Sequence, residues 1–288
     1  MSIEQLMIDA IDLHVHGAPK IVDGERRIDL LTLAHQAKEA GMKAVVIKSN
    51  RFGTGPLTLE VNQLMNGQIL LGSLVLNKEV GGLNPDVVEA QARAGAKVIW
   101  LPTFSAAEHI KDRIQNKTGA AKELDNGISI IDEHGKLVTQ MGKILEVMRR
   151  YKLVLATGHV SKFEVYTVAR EALRQHINVI ITHPLVGSVK PLLNLEEAKE
   201  LAGMGAYIEN IFAVCMPPML LSPEKMAGYI KTVGPEHCIL ATDFGQIFNP
   251  PATEGFHMML AIMLMFGLSE DELRILVKVN PAKILGLA

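Results

Sequence analysis

The sequence predicts an α/β fold of the (β/α)8 TIM-barrel class, and three observations lead to this prediction. Short apolar runs rich in β-branched residues alternate with amphipathic stretches of helical period, which is the pattern of strand–helix–strand units. Eight such runs occur in the chain, whose 288 residues exceed the ~250 residues that one barrel needs. Several runs are apolar on both alternations, as strands buried between an inner core and an outer helix layer are. We therefore expect a single barrel domain over residues 1–288.

The predicted strands are short apolar runs that end beside polar residues or turns. The segments "KAVVIK", "VIIT" and "CILAT" are apolar on both faces, which favours a parallel sheet with both faces buried. In chain order the predicted strands are Ile8–His14, Ala44–Lys48, Ile69–Leu76, Val98–Pro102, Leu153–Thr157, Val179–Thr182, Ala206–Asn210 and Cys238–Thr242.

The predicted helices fill the intervals between these strands. Glycine follows several of them, as in "EAGMK", "RAGAK" and "GMGAY", where a left-handed cap would end the helix before the next strand. In chain order the predicted helices are Asp29–Ala40, Leu57–Met65, Pro85–Ala94, Leu137–Tyr151, Lys162–Gln175, Asn194–Ala202, Pro223–Val233 and Thr253–Met265.

One interval is longer and more polar than the others. Residues Phe104–Lys136 are rich in Lys, Asn, Glu and Gly, and they end in "ISIIDEHGKL". The run Ile128–Ile131, a turn at His134–Gly135 and Leu137 indicate a short hairpin. Because a long loop inside a compact domain is usually a binding loop or a lid, we expect residues 104–136 to form a lid-like insert after the fourth strand.

The composition indicates which kind of molecule the protein binds and in which compartment it occurs. The formal charge is −2 with no clustered basic stripe, which argues against nucleic acid or an anionic membrane as main partner and favours a small-molecule substrate. The two cysteines, Cys215 and Cys238, form no CxxC pair, which is typical of a reducing, cytoplasmic protein. The N-terminus lacks a signal-length apolar stretch, and Met258–Phe266 falls short of the ~20 residues that cross a bilayer.

Residues of metal-ligand type gather at the predicted strand ends, where barrel enzymes place their active sites. His14 and His16 end the first strand, and strand alternation directs both to the same side. His159 follows the fifth strand, His183 the sixth and Asp243 the eighth. Each residue alone is more often a hydrogen-bonded strand-end residue than a ligand. Together, four imidazoles and one carboxylate predict a site for zinc or a similar divalent ion.

The order of these motifs resembles the amidohydrolase superfamily of metal-dependent hydrolases. "DLHVH", "TGHV", "THP" and "TDFG" follow one another along the chain, and "VNPAKILGL" at Val279–Leu287 is similar to the closing helix of that superfamily. The resemblance implies a barrel with one or two metal ions. It also implies that His14, His16 and Asp243 bind the deeper ion, while His159 and His183 bind or border the outer position.

The sequence departs from this resemblance at the fourth strand. Many two-metal members supply a bridging carboxylated lysine or glutamate there, but this strand reads "KVIWLPTF". Lys48 ends the second strand instead, in "VVIKSNR". Three interpretations of Lys48 stay open: a carboxylated bridge between two metals, an ammonium that binds substrate or stabilises developing charge, and a surface lysine.

Other polar residues at the same rim are predicted substrate contacts. Arg51 and Lys78 could grip an anionic group through charge-assisted hydrogen bonds, although solvated loop cations are the commoner finding. The full set of predicted substrate-binding residues is Arg51, Asn77, Lys78, Thr103, His109 and Glu209.

The favoured activity is hydrolysis of an amide, a lactone or another ester of a small molecule by metal-activated water. Asp243 would act as general base and then general acid, and His183 would be a ligand or donate to the oxyanion. The alternatives are a decarboxylase with one ion on His14, His16, His159 and Asp243, a phosphoesterase, and a non-catalytic metal-binding protein. The number of bound metal ions discriminates between this decarboxylase and a two-metal hydrolase.

The segment Gly255–Gly267, "GFHMMLAIMLMFG", is apolar nearly all round. An outer barrel helix of this kind needs a cover beyond its own barrel face. We expect a homo-oligomer that uses this helix, with a chain terminus packed over it as the alternative.

Overall fold

Eight parallel strands lie side by side in chain order and form a nearly closed barrel, which confirms the predicted fold class. The computed structural model describes residues 2–17, 25–115, 127–185 and 192–287. The strands are β1 (Ile11–Val15), β2 (Ala44–Ile47), β3 (Leu70–Val75), β4 (Ala96–Trp100), β5 (Val154–Ala156), β6 (Val179–Ile181), β7 (Tyr207–Ile211) and β8 (Cys238–Ala241).

The ring closes between β8 and β1 just beyond the strand ends. The Asp243 amide donates to the carbonyl oxygen of His14 at 2.8 Å, and the His16 amide donates to that of Phe244 at 2.7 Å. These hydrogen bonds place the segment after β8 against the end of β1. The closure therefore brings the predicted ligands of the first and eighth strands together at one end of the barrel, which we call the mouth.

The helices surround the strands, and all eight predicted helices are present with slightly shifted ends. Side-chain caps begin several of them. Asp29 accepts from the Thr32 amide, and Ser161 with Glu164 forms a capping box. The helices are α1 (Ile3–Met7), α2 (Leu30–Glu39), α3 (Gly55–Leu64), α4 (Pro85–Arg93), α5 (Ala107–Gln115), α6 (Thr139–Tyr151), α7 (Lys162–Arg174), α8 (Leu195–Gly203), α9 (Pro223–Val233), α10 (Ala252–Met265), α11 (Glu270–Arg274) and α12 (Asn280–Leu285).

A β-bulge in β1 sets the direction of the two histidines. Ile11 and Leu13 pack in the barrel interior, whereas Val15 packs in the outer core against the helices. The register with β2 shifts between Asp12 and Val15, which inserts one extra residue into β1. His14 therefore lies on the interior side together with its neighbour Leu13, and Val15 faces the outer layer.

The described part of the insert contains a helix that the sequence did not predict. α5 occupies its first half, and residues 116–126 lie outside the described residues. Beyond them, an antiparallel bridge joins Ile131 to Leu137, where the hairpin was expected. Few apolar residues mark α5, so its period was too weak to separate it from a polar loop. The role of the insert as a lid stays a prediction.

The apolar helix α10 packs against α1, α2 and α9. Its residues Phe256, Met259, Leu260 and Met263 are buried, whereas Met265 is exposed. The N-terminal helix α1 thus covers part of the outer face of α10, which agrees with the alternative in which a chain terminus packs over this helix. The homo-oligomer stays a prediction. Across the described ranges, every helix is too short or too polar to cross a bilayer.

Candidate metal centre

Three side chains from β1 and the segment after β8 converge at the mouth. The Nε2 atoms of His14 and His16 lie 3.2 and 3.0 Å from Oδ1 of Asp243, and one ligand atom from each residue lies within 4.8 Å of the others. Bonds of ~2.0–2.1 Å in a tetrahedral site place neighbouring ligand atoms about 3.3 Å apart. The spacing of the two imidazoles around the carboxylate therefore fits one small divalent ion.

The hydrogen bonding of this group also fits an ion. Within the described part of the chain, Asp243 Oδ1 and His16 Nδ1 are buried and have no hydrogen-bond partner. An unpaired buried polar atom costs ~1–3 kcal/mol, so a folded protein rarely keeps one without a reason. A cation between these atoms would satisfy them.

The chain holds Asp243 in a conformation that few residues adopt. Its φ is +55°, in the left-handed region, and Gly245 two residues on has a φ of +133°. A Cβ at Gly245 would collide with the carbonyl oxygen of His16, so only glycine allows this close approach of the two segments. Backbone strain of this kind clusters at functional sites.

Glu209 of β7 lies behind His14 and fixes the orientation of its ring. Glu209 Oε1 is 3.1 Å from His14 Nδ1, and Oε2 accepts from the His183 amide at 3.1 Å. The Nδ1–H of His14 therefore donates to the carboxylate, and Nε2 presents its lone pair to the centre. Metal-binding histidines usually have such a partner. The predicted substrate contact by Glu209 stays a prediction, and these contacts give it a positioning role.

Lys48 is buried in the same group, with 2% of its surface exposed. Its Nζ lies 2.9 Å from His14 Nε2 and 5.2 Å from the centroid of the Trp100 ring. The interpretation of Lys48 as a surface lysine is therefore wrong, since the alternation of β2 directs it inward after Ala44 and Val46. The ammonium and carboxylated interpretations both place it at this position.

The other two predicted ligands lie beside this group. The rings of His14 and His183 are stacked with centroids 6.0 Å apart, and His159 meets His183 edge-on at 5.1 Å. His109 of α5 also reaches the mouth, where its Nδ1 lies 3.0 Å from Nδ1 of His159. Phe104 packs against both of these rings. The structure therefore brings together all five predicted ligands, in two neighbouring sets.

Burial keeps the imidazoles of the mouth in the form that binds metal. It lowers the pKa of His16 and of His183 to about 4, and it holds the pKa of His159 well below the usual value. Burial by itself would raise the pKa of Asp243, but His14, His16 and Lys48 outweigh this effect and keep the pKa below its usual range. Neutral imidazoles beside an ionised carboxylate are the protonation states that a divalent ion requires.

A second polar cluster lies beyond the ends of β2, β3 and β4, and its members are joined by hydrogen bonds. We call Asn50, Asn77, Thr103 and Ser105 the asparagine network. Asn77 Nδ2 donates to the Asn50 carbonyl oxygen and to Thr103 Oγ1, both at 2.9 Å, and Asn77 Oδ1 accepts from the amides of Thr103 and Ser105. Substrate contact by Asn77 and Thr103 stays a prediction, because their polar atoms already bind each other.

The two predicted cationic contacts lie further out. Arg51 is exposed and pairs with Glu79 at 2.6 Å, and Lys78 is exposed at the end of β3. Their predicted role in binding an anionic substrate group stays a prediction.

Two residues of the site were not found by sequence reasoning. Asp12 links β1 to the end of β8, since it accepts from the His14 amide at 3.2 Å, from the Thr242 amide at 3.1 Å and from Thr242 Oγ1 at 2.6 Å. Burial raises the pKa of Asp12 to about 7. Trp100 packs its ring 5.4 Å from that of His14. The sequence feature that could have indicated Asp12 is a carboxylate inside an apolar strand. Trp100 has no such feature, because a tryptophan in an apolar strand is typical of a hydrophobic core.

The (β/α)8 barrel that carries two histidines from β1 and an aspartate after β8 at its mouth is similar in fold to several solved structures. Similar solved structures include an amidohydrolase from Pseudomonas aeruginosa, at 15% identity and TM-score 0.61, covering 99% of this chain and 98% of that chain. The metallopeptidase dipeptidase AC has 15% identity and TM-score 0.64, with coverage of 97% and 98%. A 2,6-dihydroxybenzoate decarboxylase from Rhizobium has 11% identity and TM-score 0.56, with coverage of 97% and 99%.

The chain belongs to DUF6282, a family of unknown function, whose sequence profile matches residues 9–209. No curated protein sequence matches the chain.

Proposed function

We propose that this protein is a metal-dependent hydrolase of small molecules with one divalent ion, zinc or similar, on His14, His16 and Asp243. One observation carries the proposal: two buried imidazole nitrogens lie 3.0–3.2 Å from a carboxylate oxygen that has no hydrogen-bond partner in the described part of the chain. A bound ion of this kind lowers the pKa of water from ~15.7 to ~7 and polarises a substrate carbonyl.

The chain's own residues supply the proton transfers and the orientation. Asp243 is ionised, so its carboxylate can accept a proton from the attacking water and pass it to the leaving group. Glu209 keeps the Nδ1–H of His14 turned away from the centre. His183 is a neutral imidazole beside the centre, and its N–H can donate to the oxyanion that develops on the substrate.

The substrates that fit this chemistry are amides, lactones and other esters. The fold neighbours named as an amidohydrolase and a dipeptidase support hydrolysis in general but select no substrate for this chain. Decarboxylation is the second candidate. The His14, His16 and Asp243 group lies together without a bridging ligand at the end of β4, where Leu101 and Pro102 stand, and a single ion suffices for a decarboxylase.

Metal content tests the proposal. We expect about one divalent ion per wild-type chain, and loss of that ion in the double variant His14→Ala with His16→Ala. His134→Ala is the matched control, because the His134 side chain is 72% exposed. An unchanged metal content in the double variant would overturn the proposal.

Product labelling in H₂¹⁸O then separates the two reactions on a panel of amides, lactones, esters and aromatic acids. A hydrolase places the label in the product acid, whereas a decarboxylase releases carbon dioxide and leaves the organic product unlabelled.

A further inference from the structure

Lys48 and a metal ion would compete for the same lone pair. An imidazole nitrogen has one lone pair in the ring plane, so it accepts one hydrogen bond or binds one ion. Because the Nδ1–H of His14 donates to Glu209, Nε2 is the atom that carries the free lone pair. His14 Nε2 lies 2.9 Å from Lys48 Nζ and accepts a hydrogen bond from it. The same Nε2 atom faces Asp243.

The negative charges around Lys48 attract both its ammonium group and a divalent cation. Glu209 and Asp243 both lie against the His14 ring, with carboxylate oxygens 3.1 Å from Nδ1 and 3.2 Å from Nε2, and the Lys48 amine is 2.9 Å from the same Nε2. A lysine ammonium therefore already balances part of the negative charge that would attract a divalent cation. The ring of Trp100, at 5.2 Å, gives the ammonium a second favourable contact that does not involve His14.

We propose that Lys48 is an internal cation that competes with the metal for His14, so that ion binding requires its amine to leave Nε2. Lys48 would then weaken metal binding and set the affinity of the centre, instead of acting as a ligand or a carboxylated bridge. This inference rests on the proposed function, since it takes His14 as a metal ligand.

The test compares zinc affinities of chelator-treated proteins by competition with a chromophoric chelator. Lys48→Met keeps most of the volume and removes the amine. We expect it to bind zinc ~10–100-fold more tightly than the wild type, the size that loss of one charge-assisted hydrogen bond predicts. Lys43→Met is the matched control, because Lys43 is exposed just before the other end of β2, so the affinity should not change.

The possible results separate the inference from the proposed function. Equal or weaker zinc binding by Lys48→Met, with zinc bound to the wild type, overturns the inference alone. A weaker affinity together with a lower stoichiometry identifies Lys48 as a ligand or bridge. If neither protein binds zinc, the proposed function fails and the inference fails with it.

A second measurement uses only the wild type, in case Lys48→Met does not fold. In a crystal structure of the zinc-loaded protein we expect Lys48 Nζ beyond hydrogen-bond distance of His14 Nε2, as a bare amine that does not contact the ion. A lysine still bonded to Nε2, or a carboxyl group on Nζ that binds zinc, would overturn the inference.

Discussion

The two polar clusters at the mouth are buried to a similar degree but differ in their hydrogen bonding. In the asparagine network, the Asn77 side chain makes four hydrogen bonds to its neighbours. In the candidate metal centre, Asp243 Oδ1 and His16 Nδ1 have no partner among the described residues. Polar groups that bind each other stabilise the loops that carry them, whereas buried unpaired groups lower the stability and can be satisfied by a bound ligand. Pairing, more than polarity or burial, therefore distinguishes the candidate site from the structural cluster.

The largest expected effect is loss of the ion in Asp243→Asn. The amide keeps the shape of the carboxylate but removes the negative charge that attracts a divalent ion to this group. We expect zinc affinity to fall by more than the ~10–100-fold typical of partners outside the ligand set. Chelator competition measures this, with Asp271→Asn as the control at a side chain that is 86% exposed. Retention of wild-type affinity would remove Asp243 from the centre.

Glu209→Gln should give the next largest effect, since it disturbs the centre through His14. Both oxygens of Glu209 face N–H groups, those of His14 Nδ1 and the His183 backbone. Glutamine offers one oxygen and one NH₂, so one N–H group would face another donor. We expect zinc affinity to fall ~10–100-fold with the fold intact by circular dichroism. Glu254→Gln, at an exposed position of α10, should have no effect, and an unchanged affinity in Glu209→Gln would contradict the positioning role.

Asn77→Ala tests the other cluster. The change removes four hydrogen bonds, two of them from the buried backbone amides of Thr103 and Ser105. We expect the free energy of unfolding to fall by ~2–4 kcal/mol in urea denaturation, while metal content stays at the wild-type value. If Asn77→Ala instead lost the ion without losing stability, the distinction between the two clusters would be wrong.

The fold and the position of the candidate ligands at one end of the barrel were predictable because both follow from local pattern. Alternating apolar strands and amphipathic helices define the barrel, and a barrel places residues that follow its strands at one end. The four imidazoles and Asp243 could therefore be assigned to one end of the barrel from strand position, whereas the subset of His14, His16 and Asp243 came from the family resemblance. The sequence left the burial of Lys48 open, and it did not indicate the contact of Lys48 with His14.

The partners of these residues could not be predicted, because they depend on the closed ring. Glu209 meets His14 across 195 residues of sequence, and Asp12 meets Thr242 across 230. The bulge in β1 is likewise a property of its pairing with β2. The sequence places Asn77 and Asp243 alike, as polar residues after strands, and only the folded contacts show that one is paired and the other is not.

The smallest expected effect is the change of stability with pH. The histidines of the centre and Asp12, which supports it, change the free energy of unfolding in opposite directions as the pH drops. Burial holds the pKa of His16 and His183 at about 4, whereas unfolded imidazole titrates near ~6.5. Between these values the unfolded chain binds more protons, so the free energy of unfolding falls as the pH drops through this range. Asp12 acts oppositely: its pKa of about 7 exceeds the ~3.9 of an unfolded aspartate, so the folded chain binds more protons there and gains stability as the pH drops.

The pKa values of three buried histidines, His16, His159 and His183, are lowered, whereas that of one carboxyl group is raised, so we expect the chelated wild type to lose unfolding free energy between about pH 7 and about pH 5. Asp12→Asn removes the opposing group, so the same drop in pH should cost that variant ~2 kcal/mol more than the wild type, whatever its absolute stability. Urea denaturation at several pH values measures both slopes. An equal slope in the two proteins would mean that Asp12 is ionised in the folded chain at pH 5, because only a carboxyl group that is protonated in the folded chain can offset the protonation of the histidines in the unfolded chain.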